Sequence, residues 1–505
     1  MKYVLKSEEM QRYDRDTINR IGIPSMVLME RAALSVADEL SEKFGTTPKR
    51  ILVVAGTGNN GGDGLAIGRL LALKGNTVTF YLAGNQDKMT AETGSQLQII
   101  KNSGFSIQSK LEDAEYDMIV DALFGIGLSR EVQGDYANII ERINHYGKQG
   151  AYICAVDIPS GICADTGRVM GCAVRADLTV TFAFAKRGHL LYPGREYSGK
   201  LVVKDIGITE RSFQGNSPTA FCYEKEDIRN LMPHREPSGN KGTFGKVLLL
   251  AGSMDMSGAC ILCGSSVLRS GAGMVKIITP SCNRQIVQQS FPEAMLYTYE
   301  EMPDETKIRQ SLGWCDAVVA GPGMGTEKEA CQLMKWILEE KSLPMVIDAD
   351  GLNLIAEHKE LADVAALRMP GKTIFTPHPG ELNRLLGTDK EEYESDREKL
   401  IFTLARKFNC IVAAKDAATI VAKFDQKEVY INTSGNDGMA TAGSGDVLAG
   451  VIGGLLAQGM DGYDAACLAV YIHGLAGEYA GAENGRSGVV ATDIIRELMQ
   501  VMSLK

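Results

Sequence analysis

Residues 51–64 read ILVVAGTGNNGGDG, and the chain continues LAIGRLLAL to residue 73. An apolar, β-branched run ends in a turn holding five glycines in nine residues, and a helix-forming segment follows. Strand, glycine loop, helix is the repeating unit of a parallel sheet covered by helices on both faces. Glycine lets the backbone turn tightly and bring its N–H groups against a ligand. The helix start adds unpaired N–H groups and the positive end of its dipole. Asn59, Asn60 and Asp63 add amide and carboxylate groups at the same place. The turn is read as neither the Rossmann G-x-G-x-x-G fingerprint nor a Walker A loop, whose lysine is absent, but as a phosphate cradle of another kind.

The same alternation recurs along the chain. Short apolar runs at 51–55, 77–82, 118–122, 152–156 and 178–184 are expected strands, with helical stretches between most of them. Two helical segments precede them: one that Ser7 can cap, with Glu8 and Glu9 in its first turn, and one over 26–44. Residues 209–219, TERSFQGNSPT, are polar and turn-rich and mark a boundary. Beyond it, strands are expected at 246–250, 275–279, 317–320, 345–348, 373–376 and 411–414, and long small-residue helices at 447–458 and 463–482. With 505 residues, the chain reads as two different α/β domains, 1–215 and 223–505.

Composition narrows the class. The chain is 45% hydrophobic and 23% charged, ordinary for a soluble globular protein. No apolar run approaches the ~20 residues of a membrane-spanning helix. The opening MKYVLKSEEMQRYDRD has no apolar signal core. The 11 cysteines are odd in number and spread through apolar segments, so reduced thiols in a cytoplasmic protein are expected. Cys260 and Cys263 have no second pair at zinc spacing and are expected on a buried helix. Residues 1–215 carry 25 of the 53 basic and 25 of the 63 acidic side chains, so the whole net charge of −10 falls on the second half. No basic stripe is present, which argues against nucleic acid as a partner. An acidic half that binds phosphates must do so with helix N-termini, single lysines or a divalent cation. The small-residue segment 463–482 suits packing between subunits, so a homo-oligomer is expected.

In open α/β sheets, ligands bind at the carboxyl ends of strands, and the unusual residues of both halves stand there. In the first half, residues 121–129, DALFGIGLS, are a carboxylate followed by a second glycine loop, and 156–161, VDIPSG, place a carboxylate and a hydroxyl on a tight turn. Asn60, Asp121 and Ser160 are hard oxygen ligands able to converge on a cation. Asp157 is the candidate for acid–base work.

In the second half the strand ends carry AGS (251–253), GPGMG (321–325), DADGLN (348–353), TPHPGE (376–381), KDAAT (415–419) and TAGSGD (441–446). Gly443 and Gly445 open an anion hole at a helix start, with Asp446 beside it to move a proton. Lys415 supplies a positive charge that the acidic domain otherwise lacks. His378, between two prolines on a loop, is read as a ligand contact.

GTGNNGGDG, DALFGIGL and VDIPSG closely resemble the epimerase domain of the bifunctional NAD(P)H-hydrate repair enzymes, over about residues 1–215. The resemblance implies a Rossmann-like α/β/α sandwich that converts the R epimer of hydrated NADH or NADPH to the S epimer. It implies that Asn59, Asn60, Gly61, Gly62 and Asp63, with Gly125, Ile126, Gly127, Leu128, Ser129, Arg130 and Glu131, bind the hydrate. It also implies that Asn60, Asp121 and Ser160 hold potassium, and that Asp157 contacts the nicotinamide end. KGTFGKVLLLAGS, GPGMG, TPHPGE, KDAAT and TAGSGD resemble the ribokinase-like, ADP-dependent NAD(P)H-hydrate dehydratase, over about residues 223–505. Here the resemblance implies that Ala259, Gly323, His378 and Asp446 contact the hydrate, with Asp446 as base. Lys415, Asp416, Ala417, Ala418, Thr419 and Gly445 would bind ADP, with magnesium on the phosphates. A small-molecule kinase fused to a nucleotide-binding domain is the alternative.

Overall fold

The computed structural model describes every residue of the 505 except Thr46, Asp113 and Lys505. The chain forms two compact units, Tyr3–Thr219 and Ala220–Lys505 with Met1–Lys2. The division falls between Thr219 and Ala220, at the end of the polar stretch 209–219. That stretch is not a free linker. Phe213 packs its ring against Tyr3, Tyr13 and Phe184, so the stretch belongs to the first unit.

The first unit is built on a seven-stranded parallel sheet. Its spatial order is Ile107–Gln108, Thr77–Leu82, Arg50–Ala55, Met118–Ala122, Tyr152–Val156, Leu178–Phe182 and Lys200–Lys204. Both sheet faces are buried. Ile51, Val53 and Val120 join one core with the helix Ser25–Phe44, and Leu52, Val54 and Ile119 join another with the helix Asp135–Lys148. The chain leaves Arg50–Ala55 toward one edge and returns through Met118–Ala122 toward the other. The gap between these two strands is therefore the topological switch point, where a crevice opens.

The first helix, Ser7–Asp16, corrects one expectation. Ser7 does not cap it; Lys6 occupies the cap position, and the Ser7 N–H and hydroxyl both donate to Asp165, at 2.6 and 2.8 Å. A carboxylate 158 residues away thus satisfies a donor that no local side chain reaches.

The second unit repeats the logic. Its parallel strands run Met295–Tyr299, Met274–Pro280, Lys246–Leu250, Ala317–Ala320, Met345–Ile347, Thr373–Phe375 and Ile411–Ala414. Ile420–Lys423 and Val429–Ile431 extend it antiparallel, and Ala220–Cys222 pairs parallel with Val429–Ile431. The switch point lies between Lys246–Leu250 and Ala317–Ala320. Cys260 and Cys263 are buried on the helix Ser257–Arg269. The small-residue helix Gly462–Asn484 is buried along most of its length, packed on Ser444–Ala457 and Ala491–Met502, so the surface that suggested packing between subunits is taken up inside the unit.

Candidate functional sites

A cavity of about 840 Å³ opens at the switch point of the first unit, within the range of small-molecule and cofactor sites. Gly56, Gly58, Asn59, Asn60 and Asp63 line it from one strand end, Gly125 to Arg130 from the next, and Asp157 and Lys186 from its floor. One expectation is corrected here: Gly56, Gly58 and Gly61 do stand at the G-x-G-x-x-G spacing, between a strand and a helix. Gly61 has no room for a side chain, because a Cβ there would overlap the Gly56 carbonyl.

Three expected contacts fall outside the cavity. The Gly61 and Gly62 N–H groups donate to the Gly58 carbonyl at 2.9 and 3.3 Å, as the first turn of the helix Asn59–Leu73 requires. The N–H groups of Asn59 and Asn60 have no acceptor among the described residues, as at any helix start. Glu131 is exposed and does not line the cavity.

Asn60, Asp121 and Ser160 do converge. The Ser160 N–H and hydroxyl donate to the two carboxylate oxygens of Asp121, at 2.8 and 2.6 Å. Asn60 Nδ2 donates to the Phe124 carbonyl at 3.0 Å, and the Phe124 N–H donates to Ser160 Oγ at 2.9 Å. Asp121 is fully buried and makes no salt bridge among the described residues. Burial pushes its carboxyl up to about 6, partly offset by the Ser160 and Leu123 hydrogen bonds.

Asp157 is joined by a residue that sequence reasoning missed. Lys186 Nζ lies 2.5 Å from Asp157 Oδ1, and Thr181 Oγ1 donates to the same oxygen at 2.8 Å. Lys186 is 1% exposed, and its ammonium also donates to Thr181 Oγ1 at 2.7 Å. Oδ1 is thus occupied, while Oδ2 has no partner among the described residues. Burial alone would raise the Asp157 carboxyl, but the Lys186 charge and hydrogen bond hold it below its ordinary value. Asp63 moves the other way: burial, then the charges of Asp157 and Asp14, push it well above the carboxylate range. Two carboxyl groups thus line one cavity with their proton affinities moved in opposite directions, Asp63 raised and Asp157 lowered. The only sequence signal for Lys186 is a lysine ending the apolar run 178–186.

In the second unit, Gly443 takes a positive φ of 86° and opens the helix Ser444–Ala457. The N–H groups of Gly445 and Asp446 find no acceptor among the described residues. Asp446 lies in this first turn. Burial, then the Asp348 charge, push it up to about 7, against the pull of Lys415. Lys415 Nζ lies 2.5 Å from Asp348 Oδ1, and Asp348 is 1% exposed. Burial disfavours the lysine's charge, but Asp348 and Glu381 hold it protonated, above its ordinary value. The ammonium stands beside Gly445, at the mouth of the anion hole.

The other expected residues divide. Gly323 and Ala259 are brought together, since a Cβ on Gly323 would press on that of Ala259. His378 caps the helix Pro379–Leu386 through Nδ1, which accepts from the Gly380 N–H at 3.0 Å, yet its side chain is 54% exposed and reachable. Asp416 accepts from Tyr393 and Arg397 at 3.3 and 3.4 Å, and so braces its own loop. Ala418 and Thr419 are buried, while Ala417 is exposed. Asp348 and Glu381, not assigned individual roles from sequence, complete the charge cluster.

An open parallel sheet with two carboxyl groups and a glycine turn at its switch point, and a second α/β unit with a buried carboxyl group at a glycine-opened helix start, have the architecture of a two-site α/β enzyme. Residues 25–188 match the family described as YjeF-related protein N-terminus, and residues 247–500 match NAD(P)H-hydrate dehydratase. The bifunctional NAD(P)H-hydrate repair enzyme of Moorella thermoacetica is 35% identical over 520 residues, covering 99% of this chain and 96% of that protein. The Escherichia coli enzyme of the same description is 32% identical, covering 98% and 93%. A ribokinase-like superfamily protein from Enterococcus faecalis V583 matches with a TM-score of 0.51 at 28% identity, over 56% of this chain and 96% of that one. The chain belongs to the family of bifunctional NAD(P)H-hydrate repair enzymes. Among the described residues, no helix is long and apolar enough to cross a membrane, and no two cysteines are paired.

Proposed function

We propose that the first unit interconverts the R and S epimers of hydrated NADH and NADPH at Asp157, Lys186 and Asp63, and that the second restores the dihydronicotinamide from the S epimer at Asp446. The observation that carries the first half is the division of labour in the Asp157 carboxylate: Oδ1 is held by Lys186 and Thr181, and Oδ2 is left to the cavity. The hydrated ring carbon bears a hydroxyl and the ring nitrogen. Asp63, held as the acid, gives its proton to the hydroxyl, which leaves as water while the nitrogen lone pair closes a planar iminium. Water returns to the opposite face, and Asp157 Oδ2 takes the proton it sheds; proton exchange between the two carboxyl groups resets the pair.

In the second unit, Asp446 removes the proton of the S-epimer hydroxyl, and the oxygen takes the terminal phosphoryl group of ADP, leaving AMP. The ring nitrogen then expels phosphate, and loss of a ring proton restores the double bond. Free N–H groups of Gly445 and Asp446, with Lys415, face the charge that builds on the phosphoryl oxygens. Among the described residues no three acidic, histidine or cysteine side chains cluster as a metal site. Magnesium therefore fits as an ion carried by the nucleotide phosphates, where it offsets their charge.

Potassium fits the first unit. A buried carboxylate with no cationic partner, beside the Ser160 hydroxyl, the Asn60 side chain and the Phe124 carbonyl, suits one monovalent charge on oxygen ligands. The folded Asp121 carboxyl binds its proton more tightly than the usual 3.8. Its contribution is present at low pH and lost as pH rises toward about 6, a cost of about 3 kcal/mol above that pH. Potassium is therefore expected to raise Tm at pH 7.5, by about 2–4 °C per kcal/mol recovered, and to lose its effect as pH falls below about 6. Differential scanning fluorimetry against tetramethylammonium at equal ionic strength checks this. A pH-independent shift, or the same shift in Asp121→Asn, removes the assignment.

The whole reading is tested by dihydronicotinamide absorbance, starting from mixed epimers of hydrated NADH with ADP, with ATP, or with neither. Complete recovery with ADP, faster than the epimers interconvert unaided, is expected. Recovery that stops at the S fraction removes the epimerase assignment. Recovery with neither nucleotide added removes the phosphoryl step. No recovery in any arm leaves the kinase alternative. Cytoplasmic residence is supported by the unpaired cysteines.

A further inference from the structure

Two strained turns end neighbouring strands of the first unit. At the end of Tyr152–Val156, the Ile158 N–H donates to the Val156 carbonyl at 2.8 Å, closing a three-residue turn around Asp157 at a φ of 64°. At the end of the neighbouring strand Leu178–Phe182, the Phe184 N–H donates to the Phe182 carbonyl at 2.7 Å, closing a second such turn around Ala183 at a φ of 61°. Positive-φ γ-turns are rare and strained, and a non-glycine residue persists in one only where its surroundings over-determine it. The first turn presents Asp157, and the second sets the direction of the segment that carries Lys186.

His189 ties the first turn to the backbone of Lys186. It is 1% exposed, on the short helical turn Arg187–Leu190. Its Nδ1 lies 3.0 Å from the backbone N of Lys186, and its Nε2 lies 2.9 Å from the backbone carbonyl of Asp157. A backbone N–H can only donate, so Nδ1 accepts and carries no proton. A carbonyl can only accept, so Nε2 carries the proton and donates. The ring is therefore neutral, in one tautomer, with both nitrogens spent on the backbones of the two residues that form the ion pair. Burial, then the nearby Lys186 charge, keep it neutral across the working pH range. The Asp157 backbone is pinned on its other side as well, its N–H donating to the Val180 carbonyl at 2.8 Å.

We infer that His189 is a positioning residue for epimerisation: a strut between the strained Asp157 turn and the Lys186 backbone that holds Asp157 and Lys186 in register, so that Oδ1 stays with the lysine and Oδ2 faces the substrate. This rests on the reading of Asp157 as the epimerisation base. The strut touches neither substrate nor solvent, so its loss is felt in the chemical step. A displacement of about 1 Å at a reacting group costs on the order of 100-fold in rate.

The test is a set of three variants of the full chain, His189→Gln, His189→Asn and His189→Leu. Gln reaches the Nε2 position and can still donate to the Asp157 carbonyl. Asn reaches the Nδ1 position and can still accept from Lys186. Leu keeps only the volume. Epimerisation kcat and KM are measured for each, with ADP-dependent consumption of pure S epimer as a control in the same chain. The Leu variant is expected to lose roughly 30- to 100-fold in kcat, with KM and S-epimer consumption near wild type. Gln is expected to recover about tenfold of that loss, and Asn less, because the strained carbonyl of Asp157 is the group that needs holding. Leu epimerising at the wild-type kcat overturns the inference, as does a loss confined to KM. If Leu does not fold, Gln no better than Asn overturns it. Epimerisation retained by Asp157→Asn removes the underlying reading instead, and so separates the two failures.

Discussion

Asp446→Asn is expected to lower dehydration of the S epimer by roughly 10²- to 10⁴-fold, the range for loss of a general base, and to leave epimerisation by the same chain unchanged. The carboxyl lies in the first turn of Ser444–Ala457, next to free N–H groups that favour an anion, but burial and the Asp348 charge outweigh them and bring it up to about 7. Such a group is half ionised near neutrality. The wild-type kcat/KM for dehydration therefore rises through about pH 7 and levels above it. In the Asn variant that limb vanishes from the residual rate. Stability provides the fold control. A carboxyl whose folded pKa is raised contributes stability at low pH that is lost as pH rises through about 7. The neutral amide carries no such loss, so the variant is expected to melt no lower than wild type at pH 8. Steady-state rates with pure S epimer and ADP decide the matter. Retained dehydration removes Asp446 from the base role, and a shared loss of epimerisation contradicts two separate sites.

Asp157→Asn is expected to do the reverse, with a fold loss of the same order in epimerisation and none in dehydration of the S epimer. Its effect on stability has the opposite sign. The Asp157 carboxyl is held below its ordinary value by Lys186, so its contribution is present above the unfolded pKa and disappears as pH falls through the folded one. The amide leaves a lysine that is 1% exposed without a counter-charge, and breaking a buried pair on one side costs on the order of 3–5 kcal/mol. A lower Tm is therefore expected at pH 7. In Asp157→Asn/Lys186→Met the orphaned charge is gone, so Tm recovers while epimerisation does not. That split separates chemistry from folding. An active double variant would show that neither group takes part.

Most strands were legible because each is a β-branched apolar run closed by glycine or a carboxylate. Lys246–Leu250 and Met118–Ala122 begin and end where the residue pattern changes. The short strand Ala185–Lys186 and the antiparallel pair Ile420–Lys423 and Val429–Ile431 were not read, because they lie between loops and take their conformation from the neighbours they pair with. Asp157, Asp121, Ser160 and Asp446 were legible as polar residues at strand ends and a helix start. Glu131 came with the family resemblance, and nothing local in the sequence says that it lies outside the cavity. Ser7 was read as a cap from its position, while the group that satisfies it lies far along the chain on Asp165.

From sequence alone came the two α/β units, the glycine turns and the carboxylates beside them, since backbone freedom and residue type act within a few positions along the chain. Only the tertiary structure decided how those carboxylates are ionised. Lys186 reaches Asp157 across 29 residues, and Lys415 reaches Asp348 across 67. A group's pKa follows from burial and from the charges within a few ångströms of it, and those neighbours are assembled by the sheet rather than by the order of the chain.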